Sequence, residues 1–296
     1  MRKPVANIGA SVRARLLNLA KERNQPFELL LVRYTLERLL YRLSKSKHRD
    51  KFVLKGAMLM RHWLNDPHRP TRDIDLLGFG DNDPDLTLKL FHEIFTVQAD
   101  DAVLFDIDGL AIDTVHDDSG YSGLRLKTYA TVDGTRVRVV IDIGYGDATE
   151  PGLNDIDLPV LLDQPAPNLR AYPPETVIAE KFQAMVALGL ANSRLKDFYD
   201  IWILAQTFDF KDTRLAQAIA ATFARRKTEI PTEPPDGLTA AFANDSAKQQ
   251  QWKAFVADLG VDPGDLGDVV KALEKFLMFH AEKAREKPAK GERKQS

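Results

Sequence analysis

The feature that most constrains the fold is a short apolar strand that runs into a glycine, followed by a helix and by two aspartates one residue apart. Residues 52–54 form the strand and Gly56 the turn, and residues 72–77 read as the next strand. Because alternate strand residues point to one face, Asp73 and Asp75 project side by side while the residue between them enters the core.

This pair of aspartates predicts a metal site. Two adjacent carboxylates repel one another unless a cation lies between them, and magnesium accepts a few carboxylates together with water and substrate phosphates. A lone Asp-X-Asp is usually a solvated surface feature. Here Gly56 at a strand-to-helix turn leaves room for a phosphate at a helix N-terminus. Asp142, in the predicted strand 135–143, is the third candidate ligand. The alternative interpretation of Asp142 is an aspartate at a strand end that faces solvent and binds no metal.

The rest of the chain predicts an α+β fold in which helices flank a sheet. Asp133 and Gly134 are typical of a tight hairpin, so the strands on either side are expected to pair antiparallel. Proline-rich residues 151–174 read as a loop and a boundary. Further strands are predicted at 103–115 and 124–132, and helices at 8–46 with a break before Pro26, 58–64, 84–95, 174–190, 195–206, 215–226, 239–256 and 266–285.

Composition narrows the class of protein. The 296-residue chain has no cysteine, so disulfides and thiolate metal sites are excluded and any metal needs oxygen or imidazole ligands. It lacks an apolar run long enough for a membrane span, which predicts no membrane association and a cytoplasmic location. The net charge of -2 gives no global sign of nucleic-acid binding. The expected division is N-terminal helices at 1–50, an α/β core at 51–165, a helical domain at 166–285 and a basic tail at 286–296.

Four stretches resemble, in order, motifs of the AbiEii/AbiGii toxin family of the DNA polymerase β-like nucleotidyltransferase superfamily. They are residues 52–57 (FVLKGA), 69–76 (RPTRDIDL), 173–181 (PPETVIAEK) and 193–201 (SRLKDFYDI). The resemblance spans about residues 52–204 and implies a polymerase β-like mixed or antiparallel sheet with flanking helices and a C-terminal helical domain. The family usually has Gly-Gly or Gly-Ser where this chain has Gly56 and Ala57, so nucleotide contact there must come from backbone groups.

The resemblance also implies an activity and a site. The expected reaction is attack of a hydroxyl on the α-phosphate of a nucleoside triphosphate, with Mg²⁺ or Mn²⁺ held by Asp73, Asp75 and Asp142. In the family the lysine matched by Lys181 and an aspartate of the next helix, Asp200 or else Asp197, belong to the active site. Residues expected to contact the nucleotide are Lys55, Gly56, Arg72, Arg194 and Lys196.

Lys181 and residues 194–200 also have interpretations without a catalytic role. Lys181 fits a surface lysine whose stem covers apolar neighbours, in which case its loss would leave activity unchanged. If Lys181 acts in catalysis, its replacement by alanine is expected to affect turnover far more than folding. Residues 194–200 also fit a salt-bridged helix without a catalytic role.

The acceptor implied by the resemblance is RNA, namely the 3′ end of a transfer RNA, so that modification arrests translation and growth. A cognate antitoxin, in a toxin–antitoxin or phage-defence system, is the implied protein partner. Two alternatives use the same fold: transfer to protein side chains, and a non-catalytic nucleotide-binding regulatory module. An RNA acceptor requires a basic entrance, and the candidates are Arg61, His62, His68, Arg69 and Arg72.

Overall fold

The computed structural model describes residues 7–64, 71–116, 122–211, 213–257 and 259–286. Contacts divide the chain into two compact units. The first contains the described residues of Met1–Asn65, Pro70–Gly146 and Asp155–Ala171, and the second those of Asp147–Asn154 and Tyr172–Ser296. The N-terminal helices and the sheet therefore share one unit.

The first unit combines helices with one mixed sheet. Its helices are α1 (Ile8–Glu22), α2 (Phe27–Lys45), α3 (Ala57–Trp63) and α4 (Pro84–Phe95). The strands are β1 (Phe52–Lys55), β2 (Ile74–Gly78), β3 (Val103–Phe105), β4 (Ala111–His116), β5 (Ser122–Val132), β6 (Thr135–Tyr145), β7 (Asn154–Asp157) and β8 (Asn168–Ala171).

The strand order is β3-β5-β6-β2-β1-β8-β7, with β4 also paired to β5. The central pair β2 and β6 is parallel, whereas β1 runs antiparallel to β2 and β5 antiparallel to β6. Asp133 and Gly134 form the predicted turn of the β5–β6 hairpin, both with positive φ. The predicted mixed sheet with flanking helices is confirmed.

Alternation along the central strands separates an apolar face from a polar one. Ile141 and Ile143 are buried and alternate with half-buried Asp142. Helix α2 contacts β6 and buries a leucine stripe that includes Leu36 and Leu40. Burial of this apolar face is the main force holding helix and sheet together, and the charged side chains remain on the opposite face.

Helix α2 is also fixed by a buried ion cluster. Asp101 is fully buried and accepts from Nε of Arg38 at 3.0 Å and from Nη1 and Nη2 of Arg42 at 2.7 and 3.0 Å. Arg42 also donates to the carbonyl oxygen of Val103, at the start of β3. Bidentate pairs of this kind specify geometry, so this cluster orients α2 relative to the edge of the sheet.

The second unit is helical in its described part, as predicted for the C-terminal region. Its helices are α5 (Pro174–Leu188), α6 (Leu195–Thr207), α7 (Arg214–Arg225), α8 (Ala240–Ala243), α9 (Ser246–Val256) and α10 (Leu266–Glu286). Helix α7 packs on α5 and α10, and Phe182 of α5 meets Phe223 of α7 with ring centroids 5.3 Å apart. No helix in the described ranges combines the length and apolar character needed to cross a membrane.

Three sequence predictions were wrong in detail. The strand predicted at 103–115 is interrupted between β3 and β4, where the carboxylate of Asp106 accepts from the backbone N–H of Gly109 in a turn. The predicted loop 151–174 contains β7 and β8, and the helix predicted at 239–256 is divided into α8 and α9. Asp245 caps α9 by accepting from the N–H of Lys248, which favours a new helix start there.

Candidate active site

One rung of the sheet carries a charged side chain on each of five strands. Lys55 of β1 pairs in register with Asp75 of β2, and Asp75 pairs with Asp142 of β6. Arg125 of β5 is opposite Asp142, and Asp113 of β4 is opposite Arg125. Because directly paired residues project from the same face, these five side chains form a transverse line, here called the charged row. Its two central carboxylates are flanked by cations.

Gly56 positions the carboxylate of Asp75. It joins β1 to α3 with φ 71° and ψ -154°, a conformation that favours glycine. A Cβ added at Gly56 would lie 2.7 Å from the Cβ of Asp75, with the carboxylate closer still. The space beside Gly56 that the sequence assigned to a phosphate is therefore filled by Asp75, because the strand pairing brings that side chain over the turn.

Asp73 lies just before β2, not within the strand as predicted. The hydroxyl of Thr71, a buried residue, donates to Oδ1 of Asp73 at 2.7 Å. This bond holds the carboxylate without help from the strand ladder. Asp73 and Asp75 are both half-buried.

Arg125 binds Asp142 through two parallel hydrogen bonds. Its Nε donates to Oδ1 at 2.6 Å and its Nη2 to Oδ2 at 2.8 Å. The pKa of Arg125 is raised above its ordinary value, first by the hydrogen bonds to Asp142 and then by attraction to that carboxylate and to Asp73 and Asp75. Arg125 therefore serves as a counter-charge for the whole acidic group.

The carboxylate oxygens of Asp73, Asp75 and Asp142 suit a hard divalent cation as ligands. Carboxylate oxygens are the ligands that magnesium and manganese prefer, and Asp75 and Asp142 are neighbours across one strand pair. Each oxygen of Asp142 accepts one N–H from Arg125 and keeps a second lone pair. Within the described ranges, no cluster of three or more aspartate, glutamate or histidine residues is already arranged to hold a metal ion.

The predicted helical residues form an ion cluster in the second unit. Lys181 of α5 donates to Asp197 and, at 2.9 Å, to Oδ2 of Asp200, both on α6. Arg194 Nε lies 2.9 Å from the other oxygen of Asp197. The side chains of the two aspartates are 1% exposed and that of Lys181 is 14% exposed. The structure thus excludes a snorkelling surface lysine, and both alternative aspartates contact Lys181.

For the other residues predicted to contact nucleotide or RNA, the structure gives the degree of exposure. Lys196 is exposed on α6 and Arg72 is exposed before β2, whereas Arg61 and His62 are half-buried on α3. His68 and Arg69, which complete the predicted basic entrance, lie outside the described residues.

Comparison with known proteins assigns the chain to a family. The sequence model for the nucleotidyl transferase AbiEii toxin of type IV toxin–antitoxin systems matches residues 38–278. The chain belongs to the AbiEii family. The predicted resemblance is confirmed, and the protein is a toxin-type nucleotidyltransferase. The family also implies a nucleoside triphosphate substrate and an antitoxin partner.

Two solved structures are similar to this AbiEii chain. A candidate nucleotidyltransferase from H. pylori has 15% sequence identity and a TM-score of 0.47, over 87% of this chain and 96% of its own. JHP933 from Helicobacter pylori has 14% identity and a TM-score of 0.45, over 87% of this chain and 94% of its own. A comparison with curated proteins gave no match.

Arg125 is the site residue that reasoning from the sequence missed. It lies outside the four stretches that resemble AbiEii motifs, but the hairpin turn contains the signal for it. Arg125 is eight residues before Asp133, and Asp142 is eight residues after Gly134. A two-residue turn pairs such positions directly, so the arginine could have been assigned to Asp142.

Proposed function

We propose that this AbiEii nucleotidyltransferase transfers a nucleoside monophosphate from a nucleoside triphosphate to the 3′ end of an RNA, with transfer RNA as the acceptor class. The observation that carries the proposal is the charged row, in which Asp75 and Asp142 stand side by side between Lys55 and Arg125. Paired carboxylates with flanking cations suit a reaction between a hydroxyl and a triphosphate.

The carboxylates are the proposed metal ligands. Asp73, Asp75 and Asp142 supply oxygen donors for two ions of Mg²⁺ or Mn²⁺. When bound, such ions lower the pKa of an attacking hydroxyl and offset charge on the triphosphate. Thr71 and Arg125 hold the carboxylates of Asp73 and Asp142 in fixed orientations, which reduces the reorganisation that substrate binding requires.

The cations of the first unit stabilise the transferring phosphoryl group. Attack by the 3′ hydroxyl on the α-phosphorus forms one P–O bond and breaks the bond to pyrophosphate, and negative charge spreads over the phosphoryl oxygens. Lys55 and Arg125 lie in the same row as the carboxylates. Arg72 is exposed just before Asp73 and is a further candidate.

The second unit contains a positioned lysine. Because Asp197 and Asp200 bind the ammonium of Lys181 together, its charge has a defined position, and fixed charges are the most effective in electrostatic catalysis. Lys181 and Asp200 are the proposed catalytic residues of this cluster. Arg194 and Lys196, at the start of α6, are proposed phosphate contacts.

The proposed cellular role follows from the family. Nucleotide addition to a transfer RNA 3′ end blocks aminoacylation and so arrests translation and growth. This takes place in the cytoplasm, under control of the antitoxin, as part of a toxin–antitoxin or phage-defence system.

The test is to incubate the protein with magnesium, each α-labelled nucleoside triphosphate in turn, and either total RNA or total protein. We expect label in RNA of transfer-RNA size, removable by a 3′ exonuclease. The Asp75→Asn variant removes one charge without changing the side-chain shape and should give no label. Asp108→Asn makes the same replacement at an exposed position in the turn between β3 and β4 and serves as the matched control.

The outcomes separate the candidate functions. Label in protein and none in RNA would replace the RNA acceptor by protein side chains while leaving the transferase chemistry in place. Full activity of Asp75→Asn would refute the assignment of the carboxylates. Binding of triphosphate without transfer to either polymer would support a regulatory module.

A further inference from the structure

The β5–β6 hairpin extends the polar face of the sheet beyond the charged row. Strand β2 pairs with β6 from Ile141 to Tyr145, so no strand in the described part of the chain pairs with the half of β6 nearer the hairpin turn on that side. Side chains two residues apart share a face. Arg138 and Arg136 of β6 therefore follow Asp142 on the same face, and Lys127 and Tyr129 of β5 follow Arg125.

Charge is segregated along the β5–β6 hairpin, here called the ribbon. The carboxylates of Asp75 and Asp142 lie at one end, and Lys127, Arg136 and Arg138 lie toward the turn, which itself contains Asp133. Arg136 and Arg138 are both exposed, and among the described residues neither forms an ion pair. Lys127 is held by Asp113, with Nζ 2.6 Å from Oδ2. The distance from Asp142 to Arg138 is about 13 Å along the strand, so the basic end is within reach of a polymer whose terminus lies at the charged row.

An aromatic ring lies next to both arginines. Tyr129 is 38% exposed, and the guanidinium of Arg136 covers its ring with Cζ 3.6 Å from the centroid. Arg138 is directly opposite Tyr129 in the strand register. The tyrosine and the guanidinium therefore form a flat, pre-stacked surface on the polar face.

We infer that this ribbon face binds the single-stranded 3′ segment of the RNA acceptor, an inference that rests on the proposed function. Single-stranded RNA is bound by cations that follow the phosphates and by planar groups on which bases stack, guanidinium planes included. Arg136 and Arg138 provide free positive charge, and the Tyr129–Arg136 pair provides the plane. An acidic peptide matches the charge but has no base to stack on that plane.

The first test measures binding in the Asp75→Asn background, which prevents turnover. A short fluorescein-labelled single-stranded RNA is titrated by anisotropy at several salt concentrations. Arg136→Gln/Arg138→Gln should weaken binding about tenfold or more at low salt. If two phosphate contacts are lost, the slope of log affinity against log salt should fall in magnitude by about 1.4.

Matched variants separate the surface from general effects. Arg15→Gln/Lys89→Gln removes two exposed charges from α1 and α4 of the same unit and should leave affinity and slope within twofold of the parent. Tyr129→Phe keeps a stacking ring and should bind like the parent. Tyr129→Leu keeps an apolar strand residue without the ring and should bind about fivefold or more weakly. Circular dichroism melts confirm that each variant is folded.

The transfer assay distinguishes failure of this inference from failure of the proposed function. If the wild-type protein labels RNA and Arg136→Gln/Arg138→Gln retains the binding and RNA KM of the Arg15→Gln/Lys89→Gln control, the ribbon assignment is wrong and the function stands. If the wild-type protein labels no RNA, the function itself fails. Tighter binding of a polyglutamate peptide than of RNA, lost in the same arginine variant, would assign the face to an acidic protein instead.

Discussion

Replacement of Lys181 by methionine tests whether the cluster in the second unit is a buried ion network. Methionine keeps most of the side-chain volume but removes the charge that neutralises Asp197 and Asp200, each 1% exposed. Arg194 is 48% exposed and contacts only one of these aspartates at 2.9 Å. Removing one partner of a buried ion pair typically costs about 3–5 kcal/mol because the other charge stays buried.

The expectation from sequence was that replacing Lys181 affects turnover far more than folding, and the buried ion pairs add a substantial expected cost in folding. A surface lysine would cost under about 0.5 kcal/mol. Lys196→Met is the matched control, since Lys196 is exposed on α6. The cost expected for a buried ion pair and the cost expected for a surface lysine differ by enough for a single denaturation series to distinguish them.

The assay is urea unfolding followed by tryptophan fluorescence. Trp202 and Trp252 belong to the second unit and Trp63 to the first, so a Trp63→Phe background restricts the signal to the unit that contains Lys181. We expect the free energy of unfolding to fall by about 3–5 kcal/mol in Lys181→Met. Adding Asp197→Asn and Asp200→Asn should restore at least half of that loss, because the two buried carboxylates that lost the ammonium of Lys181 then carry no charge.

Two results would refute the reasoning. If Lys181→Met unfolds within about 0.5 kcal/mol of its parent, the ion pairs contribute nothing measurable to stability. If the asparagine replacements make Lys181→Met still less stable, the loss comes from packing of the lysine stem and not from uncompensated charge.

Three further predictions concern the first unit. Asp75→Asn should abolish nucleotide transfer and leave the melting temperature without metal unchanged or higher, because repulsion with Asp142 is relieved; a clearly lower value in differential scanning fluorimetry would contradict this. Gly56→Ala should lose about 1–2 kcal/mol or more in urea unfolding, from a side chain at φ 71° and from contact with Asp75, and near-wild-type stability and transfer would show that the turn can rearrange. Burial raises the pKa of Glu37 above its ordinary value of 4.5, so the stability contributed by this residue is present at low pH and is lost as pH rises through the raised pKa. The stability of the wild-type protein relative to Glu37→Gln should therefore decline from about pH 4.5 upward, and a difference that grows with pH would mean that the ion pair with Arg33 outweighs burial.

Much of the sheet could be predicted because its pattern is local. The Asp133-Gly134 turn and the alternation on both sides of it define β5 and β6, and the turn also sets which residues face one another. Strands β7 and β8 were missed because each has four residues within a proline-rich segment. Strand β8 lies between β7 and β1 and pairs in parallel with β1, as at Leu54 and Ala171. This long-range pairing with β1 leaves no periodic signal in the sequence.

The candidate site likewise combines residues that the sequence identifies with contacts that it does not. The family resemblance identified Lys181 and the alternatives Asp200 and Asp197, whereas the four-residue spacing of Lys196 and Asp200 predicts a shared helical face for those two. In the structure Asp200 is buried against Lys181 while Lys196 is exposed. Asp200 is buried because α5 brings Lys181 against it, and the sequence of α6 alone does not contain that contact.

The register of the sheet explains how two adjacent carboxylates are tolerated on one face. Asp75 and Asp142 are direct neighbours on parallel strands, an arrangement that like charges oppose. Lys55 on one side and Arg125 on the other bring compensating charge along the same rung. Each cation is placed by a different strand pair, so the electrostatic balance depends on the pairing of β1 with β2 as much as on the β5–β6 hairpin. The chemistry of the site is therefore a property of the rung, and the Asp-X-Asp motif alone would not reproduce it on another sheet.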